Sequence, residues 1–512
     1  MKRHHVMALM ATACLIIAAP AAARTVADRI DGWFASSTGW FVNLIFSNLP
    51  GTSIPWIVGW LVIGATVFSV YFGFIQFRAF GHALQLVRGK YSDPKDAGEV
   101  SHFQALATAL SGTVGLGNIA GVAVAVSIGG AGATFWMILA GLLGMASKFT
   151  ECTLGVKYRN EYPDGTVSGG PMYYLEKGFR ERGLPLGKFM AVMFSIFCVL
   201  GALGGGNMFQ ANQAAAQVQG VLGIPAWVTG LVLAGIVFAV IVGGIKSIAR
   251  VTEKVVPVMG IGYVLVALLI LIMNADMILW AFGEIFRGAF TDTGIIGGIV
   301  GAIIQGFRRA AFSNEAGIGS AAIAHSAVRT REPITEGFVS LLEPFIDTVI
   351  VCTMTALVII ITGQLLQDAE TGRYILNEAG RIATATGATG GVPITSAAFE
   401  STFSWAGYAL ALAVFLFAFS TMITWSYYGM KSWTYMFGEG RQKELVFKVI
   451  FCVFVFIGAV SSMDSVLDFS DAALFAMAIV NIIGLYLLMP IVKRELESYL
   501  ARLQSGEIRR FK

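Results

Sequence analysis

Three polar side chains lie among glycines in the middle of an apolar stretch that covers roughly residues 103–128. They are Ser111, Thr113 and Asn118, and four glycines fall in the same window, between positions 112 and 121. A glycine inside a helix costs about 1 kcal/mol relative to alanine, so this window predicts an interrupted helix. At membrane depth, such an interruption is tolerated only where it is buried in protein or lines a cavity. The pattern therefore indicates a polar site at a broken helix; the alternative is close packing of helices through small residues.

The chemistry available at a broken helix follows from the two helix ends that it creates. The free N–H groups at the positive N-terminal end suit a carboxylate. The freed carbonyl oxygens, with nearby hydroxyl or amide oxygens, suit a hard cation such as Na⁺. Glycines leave room for a small ligand close to the backbone. These residue types favour a small zwitterion bound together with Na⁺.

A second stretch of the same kind lies about 200 residues further along the chain. It reads FSNEAGIGSAA over residues 312–322, inside an apolar run from 295 to 328. Its Gly-Ile-Gly-Ser at 317–320 echoes Gly-Leu-Gly-Asn at 115–118. Interrupted segments at corresponding positions of two halves are the sequence pattern that best indicates the binding site of a secondary transporter.

Polar residues in two other apolar runs are further candidates. Gln210 follows three consecutive glycines and either contacts a substrate or bonds to a neighbouring helix. Ser420 and Thr421 are candidate sodium ligands, and hydroxyls bonding back to their own helix are the alternative. Trp425 either forms a wall of the pocket or only packs.

Charged residues inside apolar runs are functional hypotheses by default. Arg308 and Arg309 come just before the second interruption, and Glu315 lies within it. We interpret these three as a possible gate, with structural pairing as the alternative. Four further charged residues of this kind are Lys148, Glu151, Glu343 and Asp347.

The composition requires a membrane protein with many spans. Of 512 residues, 56% are hydrophobic and 13% are charged, against about 25% charged residues in soluble domains. Eleven apolar runs are near or above the length that crosses the hydrocarbon, and helix is the only open structure that can do so. They cover about residues 55–77, 103–128, 132–156, 189–220, 227–245, 255–273, 295–325, 338–362, 404–430, 444–461 and 471–491.

The two ends of the chain predict its orientation. Residues 1–23 have a basic start, an apolar run and a small-residue end, which predicts a cleaved secretory signal peptide; a short uncleaved span is the alternative. Cleavage leaves the new N-terminus outside. The loops that then fall inside carry about five times as many Lys and Arg residues as the outside loops. We expect an external N-terminus and a cytoplasmic C-terminus in the plasma membrane, of the bacterial inner-membrane kind.

The spans also predict how the chain is divided. Residues 24–102 hold an external segment, one additional helix and a cytoplasmic loop. The other ten spans divide into two sets of five, over residues 103–273 and 274–491, and residues 492–512 form a cytoplasmic tail. Because five is odd, the second set runs inverted relative to the first. The expected fold class is an all-α polytopic protein with a 5+5 inverted repeat and one extra N-terminal helix.

Five long motifs, in order along the chain, resemble those of the alanine or glycine:cation symporter family. They are SGTVGLGNIAGVA (111–123), GGAGATFWMILAGLLGMASK (129–148), SGGPMYYLEKG (168–178), GNMFQANQ (206–213) and FSNEAGIGSAA (312–322). The resemblance implies a leucine-transporter-type fold with one extra N-terminal helix. It also implies Na⁺-coupled, sometimes H⁺-coupled, uptake of small neutral amino acids such as alanine or glycine.

The same resemblance implies roles for single residues. One sodium site would be bordered by Thr113 and Asn118. A second would be bordered by the backbone at Ser111 and Val114 and by the hydroxyls in the eighth span of the repeat, Ser420 and Thr421. The implied substrate contacts are Thr113, Gly115, Gln210, Phe312, Gly319 and Trp425.

Other functional classes fit the sequence less well. An H⁺-coupled transporter of the same fold is the main alternative. Ion channels usually form their pore by symmetric assembly of short subunits, whereas the duplication lies within one chain here. An enzyme would need a nucleophile motif or a metal-ligand cluster, and the glycines at 112–121 do not follow a strand as a dinucleotide site requires. We expect no catalytic residue and no cofactor, with Na⁺ as the coupling ion. The expected partners are a small neutral amino acid and the lipid bilayer, without nucleic acid, and a monomer suffices.

Overall fold

The computed structural model describes residues 32, 36–93, 96–163, 165–293, 295, 297–378, 380–388 and 390–511. The expected signal peptide, residues 1–23, lies outside this part of the chain. The described residues form a mainly helical fold, as the sequence predicts.

The described residues of the first half of the chain contain nine helices and a tenth that is broken into two segments, His102–Thr113 and Gly117–Gly129. They are α1 (36–45), α2 (Trp56–Tyr71), α3 (Ile75–Arg78), α4 (Phe80–Val87), α5 (His102–Thr113), α6 (Gly117–Gly129), α7 (Gly132–Lys157), α8 (Pro171–Glu181), α9 (Gly187–Leu222), α10 (Ala226–Ile241) and α11 (Gly244–Met273). A short antiparallel pair, β1 (Asn160–Glu161) and β2 (Val167–Ser168), follows α7.

The second half of the chain is also mainly helical. Its helices are α12 (Ile278–Phe290), α13 (Gly298–Asn314), α14 (Ala321–His325), α15 (Pro333–Ile361), α16 (Val392–Glu400), α17 (Ala406–Phe437), α18 (Arg441–Val460) and α19 (Met463–Gln504). A single 3₁₀ turn, Ala275–Met277, precedes α12. Helix α19 continues well beyond the end of the last predicted span at residue 491.

Among the described residues, six helices are long and apolar enough to cross a membrane: α7, α9, α11, α15, α17 and α19. Helices α5 and α6 would together make a seventh span, which bends by 48° at its break. Each of the eleven apolar runs of the sequence contains a helix. The chain is therefore a multi-pass membrane protein.

Both interrupted segments lie in the centre of the molecule. Every residue from Ala105 to Ser127, and every residue from Arg309 to Val328, is buried. Helix α7 packs against α13, α14 and α15 and so lies beside the second interruption. This burial satisfies the condition for non-helical backbone in a membrane protein, because neighbouring protein can pair the freed backbone groups.

The segment between α15 and α17 is more ordered than its Gly- and Thr-rich sequence suggests. Isolated bridges pair Leu365 with Thr384 and Leu376 with Ile382, and α16 follows. The backbone N–H of Ala131 donates to the hydroxyl of Tyr374 at 3.1 Å. These contacts place the segment against the junction of α6 and α7.

Candidate functional site

The first break separates α5 from α6. Helix α5 begins with a capping box formed by Ser101 and Gln104, and it ends at Thr113. Beyond it, the N–H of Gly115 donates to the Oδ1 atom of Asn118 at 2.8 Å, and the N–H of Leu116 donates to Gln210 Oε1 at 3.2 Å. Side-chain amides thus replace the helical hydrogen bonds that the break removes.

The second break separates α13 from α14. Gly317 and Gly319 have φ angles of +84° and +93°, which favour glycine, and Glu315 is left-handed with φ 57°. The N–H of Ala316 donates to the side-chain oxygen of Asn314 at 2.9 Å. The backbone leaves the helix at Glu315, where a non-glycine residue in this conformation is a strained feature that is often found at functional sites.

The two breaks meet directly. A Cβ atom placed on Gly117 would lie 3.0 Å from the Cα atom of Ser313, so the glycine is needed for this close approach. From the first break, Asn118 Nδ2 donates to Asp347 Oδ1 at 2.6 Å. From the second, Ser313 Oγ donates to Asp347 Oδ2 at 2.9 Å. One carboxylate on α15 therefore joins the two interrupted helices.

Asp347 lies in a π-helical part of α15, Phe345–Cys352, and it is fully buried. The Thr348 hydroxyl donates to Asp347 Oδ2 at 2.7 Å, which adds a third donor. The sequence identified Asp347 only as a charged residue within an apolar run, and no site role followed from that. Its partner Asn118 is 229 residues away in sequence, so only the fold shows the contact. Carboxylate, amide and hydroxyl oxygens are the ligands that a hard cation prefers.

Gly115, Gln210 and Thr421 form the other side of the first break. A Cβ atom placed on Gly115 would lie 2.3 Å from Thr421 Oγ1 and 3.4 Å from Gln210 Oε1. The Thr421 hydroxyl is buried and has no hydrogen-bond partner within the described residues. A buried hydroxyl without a partner next to a glycine is a place where a small polar ligand can gain a hydrogen bond.

The hydroxyls assigned to sodium sites mostly bond to helix carbonyls. Ser111 Oγ donates to the carbonyl oxygen of Ser420 at 2.7 Å, which connects α5 to α17. Ser420 Oγ donates to the carbonyl oxygen of Phe417 at 3.0 Å, and Thr113 Oγ1 donates to that of Ala109 at 3.3 Å. Val114 is the C-cap residue after α5, and its N–H donates to the carbonyl oxygen of Leu110.

Aromatic side chains enclose the second break. Phe312 packs edge-on against Phe209, with ring centroids 5.0 Å apart. Trp425 is buried, and its Nε1 atom donates to Glu315 Oε1 at 3.0 Å. A Cβ atom placed on Gly206 would lie 2.2 Å from Trp425 Cγ, so the glycines of α9 make room for this indole. Phe312 and Trp425 therefore both lie close to the second break.

Gly319 lies in different surroundings from Gly115. A Cβ atom placed on Gly319 would lie 2.7 Å from Pro171 Cγ and 2.9 Å from Asn481 Cγ. Asn481 Nδ2 in turn donates to the carbonyl oxygen of Gly317 and to Glu151 Oε2, each at 2.9 Å. Gly319 thus packs against α8 and α19.

The arginines before the second break have an acidic partner that sequence reasoning did not name. Arg308 Nε donates to Asp471 Oδ2 at 2.7 Å, and Arg309 also donates to Asp471. Arg309 and Asp471 are 1% and 0% exposed, whereas Arg308 is 20% exposed. Glu315, the third residue of the expected gate, instead accepts hydrogen bonds from Trp425 and Ser320. The arginine pair therefore connects α13 to α19, and Glu315 belongs to the second break.

Known proteins resemble this chain over most of its length. The family model described as the sodium:alanine symporter family matches residues 40–512. The sodium/alanine symporter AgcS of Methanococcus maripaludis is 41% identical over 441 residues, which cover 86% of this chain and 93% of that protein. The amino-acid carrier protein AlsT of Bacillus subtilis is 32% identical over 466 residues, covering 90% and 92% of the two chains.

The fold also has a solved counterpart. The crystal structure of MhsT in complex with L-phenylalanine superposes with a TM-score of 0.51 at 15% identity, covering 79% of this chain and 99% of that one. This likeness shows a shared fold, of the leucine-transporter type. With a family match over nearly the whole length and relatives that cover most of it, the chain belongs to the sodium:alanine symporter family.

Proposed function

We propose that this protein is a secondary active symporter that couples inward movement of Na⁺ to uptake of a small neutral amino acid such as alanine or glycine. The observation that carries the proposal is the meeting of two buried broken helices at Asp347, near Gly115 and the Thr421 hydroxyl, which lacks a hydrogen-bond partner among the described residues. Free helix ends, buried oxygens and little side-chain bulk suit a small zwitterion and a cation. No catalytic residue or cofactor is part of this proposal.

We assign the cation to the junction of the two breaks. Asp347 would supply side-chain oxygens there, and Thr113 borders the same break. Asn118 would have to turn its amide, because its Nδ2 atom now donates to Asp347 and its Oδ1 atom accepts from the N–H of Gly115. A second cation position lies between α5 and α17, at Ser111, Val114, Ser420 and Thr421, supported by the bond from Ser111 to the Ser420 carbonyl. Because a cation needs oxygens, the hydroxyls at this second position would have to turn from helix carbonyls toward the ion.

We assign the amino acid to the space between Gly115, Gln210 and Thr421, with Phe312 and Trp425 as its apolar wall. The Cβ distances support this, because they show that Thr421 Oγ1 and Gln210 Oε1 both lie close to the backbone of the break at Gly115. A contact at Gly319 stays a prediction, since the neighbours of Gly319 are Pro171 and Asn481. Arg308 and Arg309, held by Asp471, would close one end of the path.

The topology that we propose has eleven spans, a 5+5 inverted repeat over residues 103–273 and 274–491, and one extra helix before it. The N-terminus would lie outside and the C-terminus in the cytoplasm, in a plasma membrane such as the bacterial inner membrane. The basic residues of the inside loops support this orientation. The working unit would be the monomer, because both breaks belong to one chain.

Uptake of radiolabelled amino acid into proteoliposomes tests the proposal. Alanine, glycine and glutamine are compared under an inward Na⁺ gradient, with equal Na⁺ on both sides, and with a pH gradient alone. We expect uphill uptake of alanine or glycine only with the Na⁺ gradient. Uptake driven by the pH gradient alone would keep the fold but overturn the sodium assignment, and no uphill uptake under either gradient would overturn the symporter.

A further inference from the structure

Five buried ionisable side chains lie next to one another near the second break, and none of them belongs to the site proposed at Gly115. We call His102, Lys148, His325, Glu336 and Glu343 the histidine network. Their side chains are between 0% and 3% exposed. They come from four helices, α5, α7, α14 and α15, so the network joins both interrupted helices to their neighbours.

The contacts link the five side chains in sequence, from His102 through Glu336, His325 and Glu343 to Lys148. His102 Nδ1 lies 2.5 Å from Glu336 Oε2, and His325 Nδ1 lies 2.6 Å from Glu336 Oε1. At the other end, Lys148 Nζ lies 3.1 Å from Glu343 Oε1. His325 is the central member, because its two ring nitrogens face the two different carboxylates.

The geometry at His325 requires one more proton than a neutral ring supplies. A carboxylate only accepts, so the bonds to Glu336 place the ring protons of both histidines on Nδ1. His325 Nε2 then presents a lone pair to Glu343 Oε2 at 3.5 Å. Neither of these two buried atoms has a hydrogen-bond partner in the part of the chain that the structure describes. Two facing acceptors repel each other unless a proton lies between them.

The net charge of the network also favours a proton on His325. With Lys148 charged, both carboxylates ionised and both imidazoles neutral, the network has a net charge of −1. A proton on His325 brings it to zero, and a buried net charge at membrane depth is costly. Three further acids face this region: Glu151 on α7, Glu315 in the second break and Asp347 on α15. Each would add negative charge if ionised, which favours the proton further.

We propose that His325 Nε2, closed by Glu343, is a proton-binding site whose occupancy changes during transport. His325 is the last residue of α14, a half-helix of five residues that the break separates from α13, whereas Glu336 and Glu343 lie on α15. A shift of α14 relative to α15 opens or closes the 3.5 Å gap. The proton is held when the gap is closed and exchanges with water when it opens. This inference rests on the proposed transport function, since that function is what would move α14.

The first test uses the unmodified protein. Purified protein in a weakly buffered detergent solution is mixed with alanine and Na⁺, and a pH-sensitive dye follows protons. We expect a proton signal that saturates with alanine and amounts to at most about one proton per chain. The same mixing in K⁺ without Na⁺ is the control. Alanine binding without any proton signal would overturn the proton site, while leaving Na⁺-driven uptake intact as a separate result.

Three histidine variants locate the signal. His325→Gln keeps an amide that can donate to Glu336 but cannot take up a proton, so the proton signal should disappear and the pH dependence of uptake should flatten. His82→Gln is the matched control, because His82 pairs with Tyr499 at 2.9 Å outside the network. His82→Gln should keep both the proton signal and the pH dependence of uptake. A signal that survives in His325→Gln, or that is lost in His102→Gln alone, would contradict the assignment to His325.

Discussion

At the scale of residues, the central feature is one carboxylate shared by two breaks. The glycines and polar residues around Asn118 predicted a cation site there, and the structure adds its partner Asp347. The sequence could not identify Asp347 as this partner, because a single aspartate in an apolar run does not show which residue it contacts. The fold brings Asp347 to Asn118 across 229 residues of sequence. In contrast, Gln210 and Thr421, found as polar residues in apolar runs, do lie beside Gly115.

Asp347→Asn should weaken sodium activation more than substrate affinity. The variant removes the negative charge next to Asn118 but keeps the size of the side chain. We expect the Na⁺ concentration for half-maximal uptake to rise about tenfold or more, equivalent to about 1.4 kcal/mol. The measurement is the Na⁺ dependence of alanine uptake, with the exposed Asp276→Asn as the control. An unchanged Na⁺ dependence in a well-expressed Asp347→Asn variant would remove Asp347 from the cation site.

Gly115→Ala should abolish most alanine uptake. The new Cβ atom would lie 2.3 Å from Thr421 Oγ1 and would displace this hydroxyl, which is assigned to the substrate. Gly121→Ala is the matched control in the same segment, because a Cβ atom there has only Leu116 O nearby, at 3.9 Å. We expect at least about a tenfold loss of uptake for the first variant and little change for the second. Equal uptake by both variants would show that Gly115 does not border the substrate.

At the scale of elements, the sequence predicted the interruptions well. The glycine windows at 112–121 and 312–322 contain the observed gaps between α5 and α6 and between α13 and α14. The π-helical turn at Phe345–Cys352 was not predictable, because this part of α15 is apolar and contains no glycine. Such turns often lie at functional sites, and this one carries Asp347. The internal bridges of the segment between α15 and α17 also depend on contacts that composition does not reveal.

The attachment of α13 to α19 should depend on Asp471 far more than on its neighbour Asp468. Asp471→Asn leaves the buried Arg309 without its carboxylate, and breaking a buried pair costs about 3–5 kcal/mol. Asp468→Asn is the same change at a side chain that is 58% exposed and 3.5 Å from Arg308, so the cost should stay within about 1 kcal/mol.

Thermal unfolding of both variants in detergent measures this difference. We expect a clearly lower unfolding temperature for Asp471→Asn and a value close to that of the unmodified protein for Asp468→Asn. Equal unfolding temperatures would mean that the arginine pair does not hold α13 against α19.

At the scale of the whole molecule, apolar runs predicted a multi-pass helical protein, and this coarse architecture and the family are confirmed. What the sequence could not give is which helices pack together, since every span has a similar apolar composition. The sequence alone therefore does not show that residues 105–127 and 309–328 are both fully buried, because this depends on how the helices pack. It explains how one chain can hold two interrupted helices in a membrane, because each break is enclosed by neighbouring helices.

The energetics of the proposed coupling are sufficient for uphill uptake. A tenfold Na⁺ gradient is worth about 1.4 kcal/mol. A membrane potential of about 100 mV adds about 2.3 kcal/mol for each charge that moves. One Na⁺ per substrate would then support roughly 500-fold accumulation of a neutral amino acid.

The accumulation ratio of alanine in proteoliposomes, measured while the imposed Na⁺ gradient is varied at zero potential, tests the central claim most directly. The account predicts a plateau ratio that rises with the Na⁺ ratio, at least in proportion to it, and that rises again when an inside-negative potential is imposed. A plateau ratio of one at every Na⁺ gradient, with alanine still entering, would contradict coupling and leave only facilitated diffusion.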